Sequence, residues 1–191
     1  MKQFFSLLIV AFFSTAIFAQ TKWNADLNHS KLTFSVTHMG IADVAGLFNK
    51  FEASAISDKK DFSDAVFQLS VEVASINTQI EMRDNHLKSA DFFEVEKYPS
   101  MTFKSTSITK VAKDRYKLNG NLTLRGITRP VSMDLWYRGT IENPQTKKLT
   151  AGFQLTGSLK RSDFEVGPNF PAPMLSDEVK IKADGEFISE S

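Results

Sequence analysis

Arg83, Asp84 and His86 crowd three ionisable groups into one short stretch of chain. Polar groups taken out of water must find partners, and two kinds are open to these. Arg83 or His86 could donate hydrogen bonds to a carbonyl or phosphate of a ligand. Alternatively, Arg83 and Asp84 could tie their own segment to nearby backbone carbonyls and amides. His38 could offer its imidazole inside a cavity, or sit as a satisfied core residue. The chain has three histidines, His29, His38 and His86, and their spacing of nine and then 48 residues matches no ligand motif. No metal is expected, and the prospects for catalysis are equally poor. Asp84 and His86, two apart on a helix, do not face each other. There is no Gly-x-Ser-x-Gly elbow, phosphate loop or dinucleotide fingerprint, and with Cys 0 there is no thiol nucleophile. The expectation is a protein that is not an enzyme and has no cofactor.

The elements that must position these residues alternate with period two. Leu32, Phe34, Val36 and His38 share one face of a strand; Lys31, Thr33, Ser35 and Thr37 share the other. The period recurs at Ala65 to Val73, at Met101 and Phe103, at Tyr116 to Leu124, at Val131 to Tyr137, at Phe153 to Leu159 and at Val179 to Phe187. Leu47 to Ile56 is a less regular member, which makes about eight strands. Short polar or Gly/Pro turns separate most of them, so neighbours should pair antiparallel. Gln79 to Lys88 reads as a short helix with Asn77 or Thr78 as its cap. Arg161 to Ser176, carrying Gly167, Pro168, Pro171 and Pro173, cannot continue a ladder.

Closing such a sheet removes its edges, and eight strands make a barrel that is either filled or just able to hold one small ligand. Gly120, Gly157 and Ala183, set among Phe103, Phe153 and Phe187, hint at unfilled space. Interdigitation of small and large residues in a packed core would give the same pattern.

Residues 1–19 read as an export signal with cleavage after Ala19: Lys2, an apolar run from Phe4 to Phe18, then Ala16 and Ala19 as small residues. The run is too short for a membrane span. Residues 20–191 are then one exported domain. Its formal charge is zero, because Lys2 leaves with the signal and 22 basic face 22 acidic residues. Nothing there recruits nucleic acid. Five of the 17 phenylalanines go with the signal, and the other twelve make a heavily aromatic interior.

Asp26, His29 and Ser30 before Leu32, Phe34, Val36, His38 and Gly40 open a series of motifs that continues in Asn77 and Thr78, Arg83 to Leu87, Asp91 to Phe93, and Tyr98 and Pro99. It runs on through Gly120 and Thr123, Gly126 to Val131, Gly152 and Phe153, and Arg161 to Phe164. In order and spacing this resembles the YceI-like family over essentially the whole mature chain. The resemblance implies an all-β, eight-stranded antiparallel, lipocalin-like β-barrel with a short helical lid insertion. It also implies a periplasmic location and a tunnel holding a polyisoprenoid or similar long-chain amphiphile such as an isoprenoid quinone or fatty-acid derivative. Glu165 departs from it, standing where glycine would be expected.

The expected apolar lining comprises Phe34, Val36, Leu87, Phe92, Phe93, Met101, Phe103, Met133, Leu135, Phe153 and Leu155, with Met82 added because flexible thioethers adapt to a chain that bends. His38, Arg83 and His86 are the polar contact candidates. Trp136 has the opposite parity and should face outward. Burying ten carbons gains roughly 8 kcal/mol at about 0.8 per methylene, enough for micromolar binding. A bilayer interior offers the same gain, so the expected role is a carrier or sequestering protein touching membranes only transiently. A filled barrel acting as an interaction protein, or a lipid-processing enzyme, remain the alternatives.

Overall fold

A computed structural model describes residues 20–190, so the export-signal reading lies outside the described residues. Among the described residues ten strands run in chain order: β1 (Thr21–His38), β2 (Ala42–Phe48), β3 (Phe51–Ser57), β4 (Val66–Glu72), β5 (Ile76–Asn77), β6 (Ser100–Ala112), β7 (Arg115–Leu124), β8 (Ile127–Glu142), β9 (Leu149–Lys160) and β10 (Leu175–Ser189). The α-helix α1 (Glu81–Lys88) lies between β5 and β6. Every pairing among the described residues is antiparallel, most of them between strands joined by short turns. β1, β3, β4, β6, β7, β8, β9 and β10 form a ring that closes where β10 pairs with β1, an eight-stranded barrel. Strands β2 and β5 extend the wall beside the upper half of β1.

The irregular stretch from Leu47 to Ile56 is two strands rather than one. Ser75, in the 3-10 turn Val73–Ser75, takes the amide of Asn49 on its carbonyl at 3.1 Å and that of Lys50 on its hydroxyl at 3.0 Å, which breaks the run between β2 and β3. β1 begins ten residues before the alternating segment, at Thr21. Trp23 and Ala25 pair with Ser189 and Phe187, but Leu27 to Ser30 stand opposite Gly185 alone, and pairing resumes at Lys31. This bulge switches the inward face from odd to even positions.

The barrel's lower end is closed by an aromatic floor. Phe62, 2% exposed, has its ring 5.1 Å from Trp23, 4.9 Å from Phe153 and 5.1 Å from Tyr137. The Tyr116 hydroxyl donates to the Asp61 carbonyl at 2.5 Å, holding that loop under the barrel. Asp64 secures the same loop, accepting from the Ser57 hydroxyl at 2.5 Å and from the amides of Asp58 and Lys59. Burial pushes the Asp64 carboxyl up, but these hydrogen bonds outweigh it and leave the pKa below 3.8. A carboxylate with a depressed folded pKa contributes stability above its unfolded value and loses it as pH falls through the folded one. Melting temperature should therefore drop as the pH is lowered from about 5 through the carboxylate range, and by less in Asp64→Asn. An equal acid loss in both proteins would remove Asp64 as a source.

Candidate functional site

The inward faces do not meet on the barrel axis. They leave a cavity of about 170 Å³, running from Phe67 and Phe153 above the floor to Phe34, Phe48 and Leu159 beneath the lid. That is room for on the order of ten water-sized spheres, far more than a packing defect. The lining is almost wholly apolar. Of the residues expected there, Phe34, Met101, Phe103, Met133, Leu135, Phe153 and Leu155 line it; Val36, His38, Leu87, Phe92 and Phe93 do not. Leu32, Phe48, Phe51, Phe67, Leu69, Leu118, Leu122, Val131, Ile181 and Phe187 join them.

The space is not where the glycines pointed. A methyl group on Gly120 would lie 2.4 Å from the Phe103 ring, and one on Gly157 would lie 2.2 Å from the Met133 sulfur. Those positions are filled by neighbours leaning over them. Ala183 does line the cavity, as does Gly185.

The upper end is covered by α1 and the segment after it, packed on the loop between β9 and β10. Leu87 and Phe93 pack down against the upper core clusters, and Phe92 is buried. These three belong to the underside of the cover. Val36, one step below the exposed end of β1, lies above the cavity rather than on it. His38, the last residue of β1, is exposed because the strand ends at the rim. Met82 is 83% exposed, on the solvent side of α1.

Arg83 turns toward Thr78, donating from Nε to the Thr78 hydroxyl and from a terminal nitrogen to the Thr78 carbonyl, each at 2.8 Å. Asp84 accepts from the Thr78 amide at 2.8 Å and hydroxyl at 2.6 Å. The pair ties down its own segment, and Asp84 reaching back replaces the expected Asn77 or Thr78 cap. The helix begins at Glu81, and its flanking residue Ile80 has no capping side chain. His86 pairs with Asp91 at 3.0 Å and sets its ring edge-on to Phe92, itself stacked on Phe170 at 4.8 Å. His86 thus clasps the helix to the β9–β10 loop at the surface.

The sequence profile of the YceI-like domain matches residues 23–187. The chain belongs to the YceI-like family. It is 34% identical to UPF0312 protein SA2479 of Staphylococcus aureus (strain N315), over 89% of this chain and 99% of the relative. Among solved structures it is similar to Burkholderia cenocepacia BcnA, with TM-score 0.74 and 26% identity over 85% of this chain and 98% of that one. The Campylobacter jejuni YceI protein gives TM-score 0.73 and 30% identity, covering 81% of this chain and 90% of that one. A polyisoprenoid binding domain from Saccharophagus degradans shares the fold at TM-score 0.65 and 16% identity, over 87% and 97% of the two chains.

Two features of this YceI-like chain escaped the reading of its residues. Arg161 is 9% exposed and donates to five backbone carbonyls: Ser176 at 3.0 Å, Val166 at 2.9 Å, Gly167 at 2.6 Å, Leu175 at 3.1 Å, and Phe170. It shapes the whole β9–β10 loop from inside. Its signals in the sequence were its place in the Arg161 to Phe164 motif and its position opening a segment too rich in Pro and Gly to bond to itself. Glu165, in the glycine-like position, has φ 55 and takes the left-handed conformation at the end of the turn Arg161–Phe164.

The second feature is the β1 bulge, where Asp26, His29 and Glu186 bring their ligand atoms within 4.8 Å of one another on the outer surface. His29 bonds Asp26 at 2.7 Å and lies 4.0 Å from Glu186. The hydrogen bond to Asp26 raises the His29 pKa, with charge attraction adding to it, and the same bond lowers that of Asp26. The chemistry present is an exposed histidine–carboxylate hydrogen bond across the bulge, with the Glu186 carboxylate of β10 beside it.

Proposed function

We propose that this chain binds a long apolar amphiphile, of the polyisoprenoid, isoprenoid quinone or fatty-acid class, inside the barrel, as an exported periplasmic carrier or sequestering protein. One observation carries the reading: an apolar cavity inside the ring of strands, between an aromatic floor and a helical cover, which the protein's own side chains do not fill. A void of that size costs stability if left empty, whereas an alkyl chain regains about 0.8 kcal/mol per methylene buried. The ligand class named for the Saccharophagus degradans domain fits such a space, and export accords with the apolar run ahead of residue 20. Met101 and Met133 on the lining suit a ligand that bends. The seven lining residues named from the sequence are the proposed tail contacts.

Native mass spectrometry of the purified protein should show a retained long-chain adduct. Leu155→Trp, which puts an indole into the cavity from the β9 wall, should lose that adduct while keeping the strand-rich circular dichroism of the parent. A Leu155→Trp protein that is folded and still loaded would overturn the tail site.

A further inference from the structure

The upper end of the barrel carries an exposed apolar tip. Two turns build it side by side: Met39, Gly40, Ile41 and Ala42 where β1 passes into β2, and Pro171, Ala172, Pro173 and Met174 just before β10. The Met39 amide donates to the Met174 carbonyl at 3.0 Å and His38 pairs with Leu175, so the two turns form one surface. All eight residues are exposed, and none has a charged, hydroxyl or amide side chain. Ile41 is 88% exposed, Met39 53% and Met174 47%. Single exposed apolar side chains are ordinary, but a contiguous group of them marks a surface that meets something apolar.

The tip is suited to the boundary of a bilayer. Part of its backbone is satisfied from within: besides the Met39 bond, the Ile41 amide donates to the His38 carbonyl at 3.2 Å and the Leu175 amide to the Pro171 carbonyl at 3.4 Å, while Pro171 and Pro173 have no amide to satisfy. The charges at its base are matched, since Asp43 accepts from the Thr37 hydroxyl at 2.7 Å and lies 3.4 Å from the Lys180 ammonium. Such a tip can enter the acyl boundary without stranding a charge. Protein interfaces, in contrast, carry about one hydrogen bond per 100–200 Å², and these side chains have no strong donor or acceptor to give. The helix α1 covers the same end of the barrel, where Ile80 and Met82 are also exposed.

Resting on the tail-binding reading above, we infer that this tip is a membrane-docking surface, which sets the lid end of the barrel against the lipid layer from which the amphiphile is drawn. The chain has no cysteine, so a single introduced one can carry an environment-sensitive NBD label. With vesicles of phosphatidylcholine, labelled Ile41→Cys and Met174→Cys should shift to the blue and brighten several-fold, at high salt as at low, because no charge draws the tip in. Labelled Val111→Cys, exposed at the lower end of β6, should do neither. Without label, Ile41→Asp should weaken vesicle binding on the order of tenfold, the worth of one buried isoleucine, whereas Ile41→Leu and Val111→Asp should not. No shift at Ile41 and Met174, or an equal one at Val111, overturns the docking surface. So does an Ile41→Asp protein that loses self-association but keeps its vesicle binding, which would make the tip a contact between copies. These readouts need no bound ligand: a shift at Ile41 in a protein that never carries an adduct supports the surface, and it is then the tail-binding reading that has failed.

Discussion

Phe62→Ala is expected to lower the melting temperature by about 10 °C or more. The ring is 2% exposed and meets Trp23, Tyr137 and Phe153 edge-on or tilted, so its removal leaves a hole among stiff aromatic neighbours that cannot collapse into it. Buried Phe→Ala changes cost about 3–5 kcal/mol, and in a domain of this size each kcal/mol moves the midpoint by roughly 2–4 °C. Phe62→Leu keeps most of the volume and should lose less than half as much. Because Phe62 stands between the cavity and the lower end of the barrel, the alanine variant should also make the interior reachable from below, read as faster quenching of Trp23 fluorescence by acrylamide. A Phe62→Ala protein melting within about 3 °C of the parent would show that the lower end is not a packed plug.

Arg161→Met should be nearly as costly, through unmade hydrogen bonds instead of lost volume. The guanidinium serves five carbonyls of the β9–β10 loop and the first residues of β10, and methionine keeps an unbranched apolar stem without a donor. Each buried carbonyl left unpaired costs about 1–3 kcal/mol, reduced where water can enter, so a loss of about 3–5 kcal/mol is expected. Arg161→Lys should recover little, since an ammonium has three donors from one point and cannot span a fan of five acceptors. The loop carries Phe170, which stacks on Phe92 beneath His86, so hydrogen exchange in α1 should quicken in both variants. Exchange in α1 unchanged from the parent would show that this loop does not hold the lid.

Much of the barrel was legible in advance because a closed antiparallel wall with one wet face imposes a period of two on every strand that builds it. β7 follows it without exception: Tyr116, Leu118, Gly120, Leu122 and Leu124 are buried, and the residues between them are half-buried or exposed. The eight strands of the ring, and the cavity positions Met133, Leu135, Phe153 and Leu155, follow from that alternation together with the Gly/Pro-marked turns, whereas the split of Leu47 to Ile56 into two strands and the short β5 do not. The outward parity of Trp136 holds as well, its ring lying under the guanidinium of Arg115 at 4.0 Å.

What stayed hidden depends on partners distant in sequence. Nothing in Leu27 to Ser30 announces a bulge, since these residues could equally continue a strand; Gly185, some 155 positions on, is what they fail to pair with. Gly120 and Gly157 looked like empty space because a pattern records which face a residue takes, not how far Phe103 or Met133 leans from the adjoining strand. For Arg83 and His86 the residues left two partners open, a ligand or their own segment, and only the fold sets Thr78 and Asp91 beside them. Local periodicity, set by backbone geometry and the hydrophobic effect, was written along the chain. The cavity and the partners of each buried polar group emerge only when all the strands converge, because volume and hydrogen-bond satisfaction are sums over neighbours that the linear order does not bring together.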